Sequence, residues 1–230
     1  MARIEWDKTG EHLYENGIRN GVLYRRNADG TYGGANNPGV AWNGLTTVTE
    51  SPEGAEPTDL YADDIKYLTM RSAETFGATV ECYTYPDEFM ECNGEASLVT
   101  GVYIAQQPRT SFGLCYRTVV GNDVQLENYG YKLHLVYGCT ASPSEKGYQT
   151  INDSPEAITF SFEIKTVPEN VTIQGRSDKP TSLIIIDTSK LTTTTQRANL
   201  ATLEGILYGG DNAEPRLPLP AEVYSIMSAT

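Results

Sequence analysis

Three stretches of this chain alternate apolar and polar residues with a period of two, and that alternation limits the folds open to it. In the first, Phe112, Leu114, Tyr116, Thr118 and Val120 fall on one face; in the second, Tyr129, Tyr131, Leu133, Leu135 and Tyr137 do so. In the third, Ile158, Phe160, Phe162 and Ile164 alternate with Thr159, Ser161 and Glu163. Successive side chains of a strand point to opposite faces, so each run predicts a half-buried antiparallel strand. One long helical pattern stands against them. Over Thr194–Tyr208, Leu200, Leu203, Ile206 and Leu207 form a stripe, a threonine precedes it and Gly209-Gly210 end it. The expected class is mainly β.

The remaining segments are shorter. Residues 1–20 mix charge and aromatics (Trp6, His12, Tyr14) without a period and read as an extended arm, assigned to residues 1–17. Gly21–Tyr32 reads as a hairpin turning at Asn27-Ala28-Asp29-Gly30, because Gly accepts the positive φ of such turns. Three β-prone runs follow, Val40–Thr49, Ile65–Arg71 and Ala78–Thr84. Between the first two lies an acidic loop, Thr49–Asp63, carrying Glu50, Glu53, Glu56, Asp59 and Asp63, with Pro52 and Pro57 as stiffeners and Leu60-Tyr61 as an apolar tip. It is too acidic to pack inside, so it is expected to project into solvent or another subunit. Pro86–Gly94 has the grammar of a short helix, with Pro and acids first and Gly last. Leu98–Ala105 and Leu183–Asp187 are further strand candidates, with loops at 140–155 and 168–180. Pro215–Pro220 is a stiff extended piece that cannot join the middle of a sheet, within a C-terminal arm, 211–230.

The chain has 230 residues, enough for one all-β domain or two small ones, and no linker divides it. No apolar run approaches the ~20 residues that cross a bilayer, and no apolar segment follows the N-terminal charges, so no membrane partner and no signal peptide are expected. The net charge of −13 argues against wrapping nucleic acid, which requires cations that displace counterions. Cys82, Cys92, Cys115 and Cys139 are too widely spaced for a zinc or redox motif and read as buried hydrophobes. His134, beside Lys132 and opposite the tyrosine-leucine face, reads as a surface-facing strand histidine; His12 lies in the arm. Asp63-Asp64 and Asp87-Glu88 are adjacent rather than convergent carboxylates. No catalytic, cofactor or metal site is expected, and no enzyme. Fifteen tyrosines against five phenylalanines suit surfaces that become interfaces, and equally the solvent edge of an ordinary sandwich.

Several motifs, in order, resemble the major tail proteins of long-tailed, non-contractile bacteriophages and prophages. They are Gly44-Leu-Thr-Thr-Val-Thr-Glu-Ser-Pro-Glu-Gly54, Leu60-Tyr-Ala-Asp63, Ala78–Phe89, Phe112-Gly-Leu-Cys-Tyr-Arg117, Tyr129–Gly138, Ser142–Lys146, Ile151–Ser161 and Pro215–Glu222. The resemblance spans roughly residues 5–222 and lacks the appended immunoglobulin-like domain some such proteins carry. It implies a single tail-tube domain over 1–230: a β-sandwich or barrel with one flanking α-helix and extended arms at both ends. It also implies a virion protein assembled in the host cytoplasm, whose copies form hexameric rings that stack into a tube. Its partners would be further copies of itself, a tape-measure protein, and tail terminator and distal tail proteins. DNA would pass through the bore without specific binding. Under that resemblance the Glu50–Tyr61 region is expected between stacked rings, and the strand-borne Glu81 and Glu163 are candidates for the bore wall. Two rivals share the strand pattern: a secretion-system tube protein, marked by short blunt rings, and a monomeric β-sandwich recognition module, marked by its size in solution.

Overall fold

A computed structural model describes residues 3–150, 157–173, 179–210 and 213–229. The fold is mainly β, with one large antiparallel sheet and three α-helices. In chain order, β1 (Tyr14–Arg25), β2 (Tyr32–Gly33), β3 (Val40–Ala41) and β4 (Leu45–Glu50) come first. A ribbon follows, built from β5 (Glu53–Gly54), β6 (Pro57–Ala62), β7 (Ile65–Arg71) and β8 (Glu74–Thr75), and it returns into β9 (Gly77–Cys82). Next come α1 (Phe89–Cys92), the pair β10 (Ala96–Val99) and β11 (Val102–Ile104), and the long strands β12 (Phe112–Asn122) and β13 (Leu126–Ala141). The chain closes with β14 (Phe160–Thr166), β15 (Leu183–Asp187), a 3-10 turn at Thr188–Lys190, α2 (Thr194–Tyr208), β16 (Arg216–Leu217) and α3 (Pro220–Met227). Expectations for the loops at 140–155 and 168–180, and for both arms, fall in part outside the described residues.

The large sheet runs β3-β1-β12-β13-β14-β9-β4, with β15 also on β13. Its two end strands, β3 and β4, are consecutive in the chain, so the sheet has to curl until its ends meet. Trp42 in the link donates its backbone N–H to the Gly21 carbonyl of β1, and its ring enters the core against Phe89 at 4.6 Å. Inside the curl lie Leu23, Val80, Cys82, Phe112, Leu114, Tyr116, Val136, Phe162 and Ile164. A second core lies outside it, where Val22, Tyr24, Cys115, Leu133, Leu135 and Tyr137 meet Leu200, Leu203 and Leu207 of α2 and Val223 of α3. Leu114 pairs with Val136 and Tyr116 with His134, so the apolar stripe of β12 shares its side with the even residues of β13. The two stripes therefore face opposite sides of the sheet. In these strands "half-buried" needs correcting, because both faces are covered.

Several local expectations hold and several do not. Helix α2 spans the expected Thr194–Tyr208, capped by reciprocal bonds between Thr193 and Gln196. The Leu98–Ala105 run is two strands, hinged at Gly101 with a φ of +81°. The Gly21–Tyr32 hairpin reduces to a bridge from Arg26 to Tyr32, since β1 pairs with β12 and β3 instead. Only one flanking helix was expected; α3 is a further one, begun by Pro220 in its first turn. The segment 213–229 is not an extended arm. β16 pairs with β2, Arg216 grips Glu222 with two bonds of 2.8 and 2.6 Å, and Asn199 of α2 donates to the Ala229 carbonyl at 2.8 Å. At the other end Tyr14–Gly17 already belongs to β1, while residues 3–13 touch the β12–β13 turn through Gly10 and His12, both bound to Asp123. All four cysteines are buried thiols.

Strand β13 serves two neighbours on one edge, β15 along Lys132–Val136 and β14 along Cys139–Ala141. The change falls at Gly138, where φ is +62° and the carbonyl accepts from Val167 N–H at 3.0 Å. A Cβ there would sit 1.9 Å from the Val167 carbonyl oxygen. Gly138→Ala is expected to destabilise the fold by roughly 3 kcal/mol or more, combining a left-handed backbone with backbone overlap. Chemical denaturation checks this by a lowered midpoint at unchanged slope.

Candidate functional site

The acidic segment Thr49–Asp63 does project, but as strand rather than loop. The β4–β9 ladder runs from Leu45↔Cys82 to Glu50↔Ala78, and Ser51 N–H then bonds the Gly77 carbonyl. Beyond that β5 pairs with β8 and β6 with β7, so one two-stranded ribbon leaves the sheet and reaches its turn at Asp63-Asp64. Leu60-Tyr61 therefore lies on a strand and not at the tip. From Glu50 to Ala62 an extended chain covers up to about 40 Å. Both turn residues adopt positive φ, +52° and +62°, as in the two-residue turns whose twist suits a hairpin.

The ribbon has two unlike faces. Leu60 pairs with Leu68, Thr58 with Met70 and Ala62 with Ile65, which puts these side chains on one side. The other side carries Tyr61, 70% exposed, and Asp59, whose carboxylate takes Lys66 Nζ and Thr69 Oγ1, each at 2.7 Å, and is held below the usual carboxylate range by them. A one-residue irregularity between Leu60 and Tyr61 keeps Lys66 on the Asp59 side. Among the described residues the apolar side lies open: Leu60 is 41% exposed, Ile65 65%, Leu68 48% and Met70 54%. Two strands alone, without a layer against them, are marginal in water.

The residues singled out from sequence thus separate. Pro57, Asp59, Leu60 and Tyr61 belong to β6, Glu53 to β5, and Pro52 and Glu56 to the exposed links between strands. Glu50 is elsewhere. It ends β4 on the core-facing side, where Tyr116 Oη donates to Glu50 Oε1 at 2.6 Å and His134 Nδ1 approaches the same oxygen to 3.1 Å. The His134 contact is an ion-pair approach rather than a well-aligned hydrogen bond. His134 is only 6% exposed; its ring stacks on Tyr116 at 4.6 Å and its Nε2 lies 3.1 Å from Thr118 Oγ1. The surface-facing assignment of His134 is therefore corrected. The close approach of His134 and the hydrogen bond from Tyr116 hold the Glu50 carboxyl below its usual range despite partial burial, and burial together with Glu50 pushes the Tyr116 phenol up.

Glu81 and Glu163 come together as a pair of neighbours. Thr79 pairs with Glu163 and Ser161 with Glu81, across from Thr47 and Thr49 on β4. This polar face of β4, β9 and β14 lies opposite Val48, Val80 and Phe162, and Lys165 reaches Glu163 at 3.5 Å. Among the described residues, no cluster of His, Cys, Asp and Glu could hold a metal ion and no helix is long and apolar enough to cross a membrane. No protein-family model matches the chain, and no curated protein matches it.

The Glu50 knot carries a pH dependence. A carboxylate whose folded pKa is depressed stabilises the fold above its ordinary value, about 4.3, and that contribution is lost as pH falls through the folded value. Glu50→Gln is expected to cost about 1 kcal/mol at pH 6, a charge-assisted bond discounted for partial exposure. The gap to wild type should narrow as pH falls below the ordinary carboxylate value, measured by thermal or urea unfolding across the acid range.

Proposed function

We propose that the chain is a self-assembling structural subunit of a phage-type tail tube. Copies join side by side into rings, hexameric by the family resemblance, and rings stack into a virion tail tube that conducts DNA. On this reading assembly takes place in the host cytoplasm with a tape-measure protein and tail terminator and distal tail proteins, and the protein has no catalytic role. The observation that carries it is the amphipathic ribbon. An apolar face held up to tens of ångströms clear of the body has no purpose within one subunit, and large exposed apolar surfaces mark protein contacts. A head-to-tail contact that does not close makes a filament, whereas one that closes makes a ring. A tube needs both, and the ribbon suits the first.

The polar face of β4, β9 and β14 is the counterpart for a DNA conduit. Glu81 and Glu163 lie there among threonines and serine, and carboxylates on a bore wall repel phosphates rather than retarding them. Only charges within about 8 Å of the DNA act at physiological salt. Charge reversal at both sites, Glu81→Lys with Glu163→Lys, should leave tube morphology intact and slow DNA ejection, the defect easing as salt rises. Normal ejection at low salt from such tubes removes this face from the bore.

The function itself is tested by imaging. Purified protein, concentrated or supplied with its tail-assembly partners, is expected to give rings or tubes in negative-stain electron micrographs. Leu60→Asp with Leu68→Asp, on the exposed face, should keep the unfolding midpoint and abolish stacked tubes. Wild-type particles that stay monomeric under both conditions overturn the reading.

A further inference from the structure

A ribbon that docks on another copy needs a receiving surface, and the topology points to one. Strand β9 begins at Gly77, where the ribbon leaves the sheet, and ends at Cys82. Past Cys82 the chain builds α1 and then the β10–β11 hairpin, so the two hairpins spring from opposite ends of the same strand. The base of β10–β11 is tied to α1: Gln107 N–H bonds the Gly94 carbonyl, Thr110 N–H bonds the Glu91 carbonyl, and Arg109 reaches Asn93. Across its turn Val99 pairs with Val102 on one face, 63% and 49% exposed, with Leu98 beside them at the strand irregularity and 62% exposed, while Tyr103 pairs with Ser97 on the other face. This is a second unpartnered apolar patch, at the end of the subunit away from the first.

Charge agrees with the pairing. The ribbon turn presents two carboxylates, Asp63 and Asp64, while its lysine, Lys66, is taken up by Asp59. At the base of β10–β11 Arg109 directs its guanidinium at two neutral acceptors, Asn93 Oδ1 at 3.1 Å and the Ala141 carbonyl at 3.0 Å. Among the described residues no carboxylate pairs with this guanidinium, so it can take an incoming one.

We infer that the β10–β11 hairpin of one copy receives the β6–β7 ribbon of another: Leu60, Ile65, Leu68 and Met70 cover Leu98, Val99 and Val102, and the Asp63-Asp64 turn meets Arg109. The inference rests on the tube reading and specifies its axial contact. Placing plug and socket at opposite ends of one strand makes the contact heterologous and repeats it by translation, which a stack requires.

Complementation between two full-length variants tests it. One, Leu60→Asp with Leu68→Asp, has a spoiled ribbon; the other, Val99→Asp with Val102→Asp, has a spoiled socket. All four positions are exposed, and circular dichroism with thermal unfolding confirms that each variant folds. Neither should elongate alone. Mixed, they should form terminated complexes of one unit of each, ring on ring or subunit on subunit, seen by light scattering coupled to size exclusion. Arg109→Asp should weaken the contact, and Asp63→Arg with Asp64→Arg in the opposite partner should restore it. If wild type makes tubes and the socket variant elongates equally well, the receiving surface is wrong while the tube reading stands. If wild type never associates, both fall.

Discussion

The structure depends on one strand pair, β12–β13, being buried on both faces. Its inner face closes the curled sheet around Phe112, Leu114, Tyr116 and Val136, and its outer face carries Cys115, Leu133, Leu135 and Tyr137 under α2 and α3. Both cores therefore share one backbone, and a shift of register by one residue would exchange their contents. Polar pins fix the outer layer. Tyr24 Oη donates to the Leu207 carbonyl at 2.7 Å, and Arg117 bonds Glu204 at 2.7 Å while lying over the rings of Tyr131 and Tyr208. Burial and Glu204 push the Tyr131 phenol up to about 12, which keeps it a hydrogen-bond donor at all physiological pH.

With the body fixed in this way, the ribbon can be held outside it. The ladder of β4 and β9 is rigid because its inner side chains, Val48 and Val80, belong to the inner core. Glu50, the last residue of β4, is the anchor at the point of exit: its carboxylate is gripped by Tyr116 of β12, beside His134 of β13. The carboxylate is only partly buried, and its bond from Tyr116 ties the end of β4 to β12 at the exit point. The ribbon inherits its direction from the ladder.

Much of this was legible in the sequence, and the failures have physical causes. α2 declared itself through stripe, cap and stop; Ile65–Arg71 and Ala78–Thr84 became strands, while Val40–Thr49 broke at Trp42-Asn43-Gly44 into β3 and β4. The alternation rule assumes one wet face, so it placed His134 in solvent; where a second layer covers the sheet, the off-stripe residue is buried too and must find partners. β6 was hidden because Pro-Thr-Asp-Leu-Tyr-Ala lacks the density of apolar residues that marks a core strand, and it is not a core strand: all six residues are exposed. Its pairing partner, Ile65–Arg71, was visible, and the turn was masked by an Asp-Asp pair where Gly is usual. α3 was missed because a proline-rich approach reads as a break, although Pro at a first turn opens a helix. That Glu81 and Glu163 share a face follows from strand parity and register, and register with a distant strand is not written locally.

The turn chemistry bears on how a stack would hold. Asp63 and Asp64 both occupy the left-handed region, at a cost on the order of 1 kcal/mol each relative to glycine. An Asn-Gly turn would make the free ribbon more rigid and each axial contact tighter, by removing ordering entropy from the binding step. On the proposed tube reading, the Asp-Asp turn leaves part of the ribbon's ordering to be completed on docking. A single contact is then weak and reversible, so a misplaced subunit is released. In the proposed closed ring every copy would present one ribbon and one socket in fixed array, and after the first contact the remaining ones would form at high effective concentration. Weak plugs on single subunits and strong cohesion between rings are compatible, and together they favour stacking of completed rings over aggregation of free subunits.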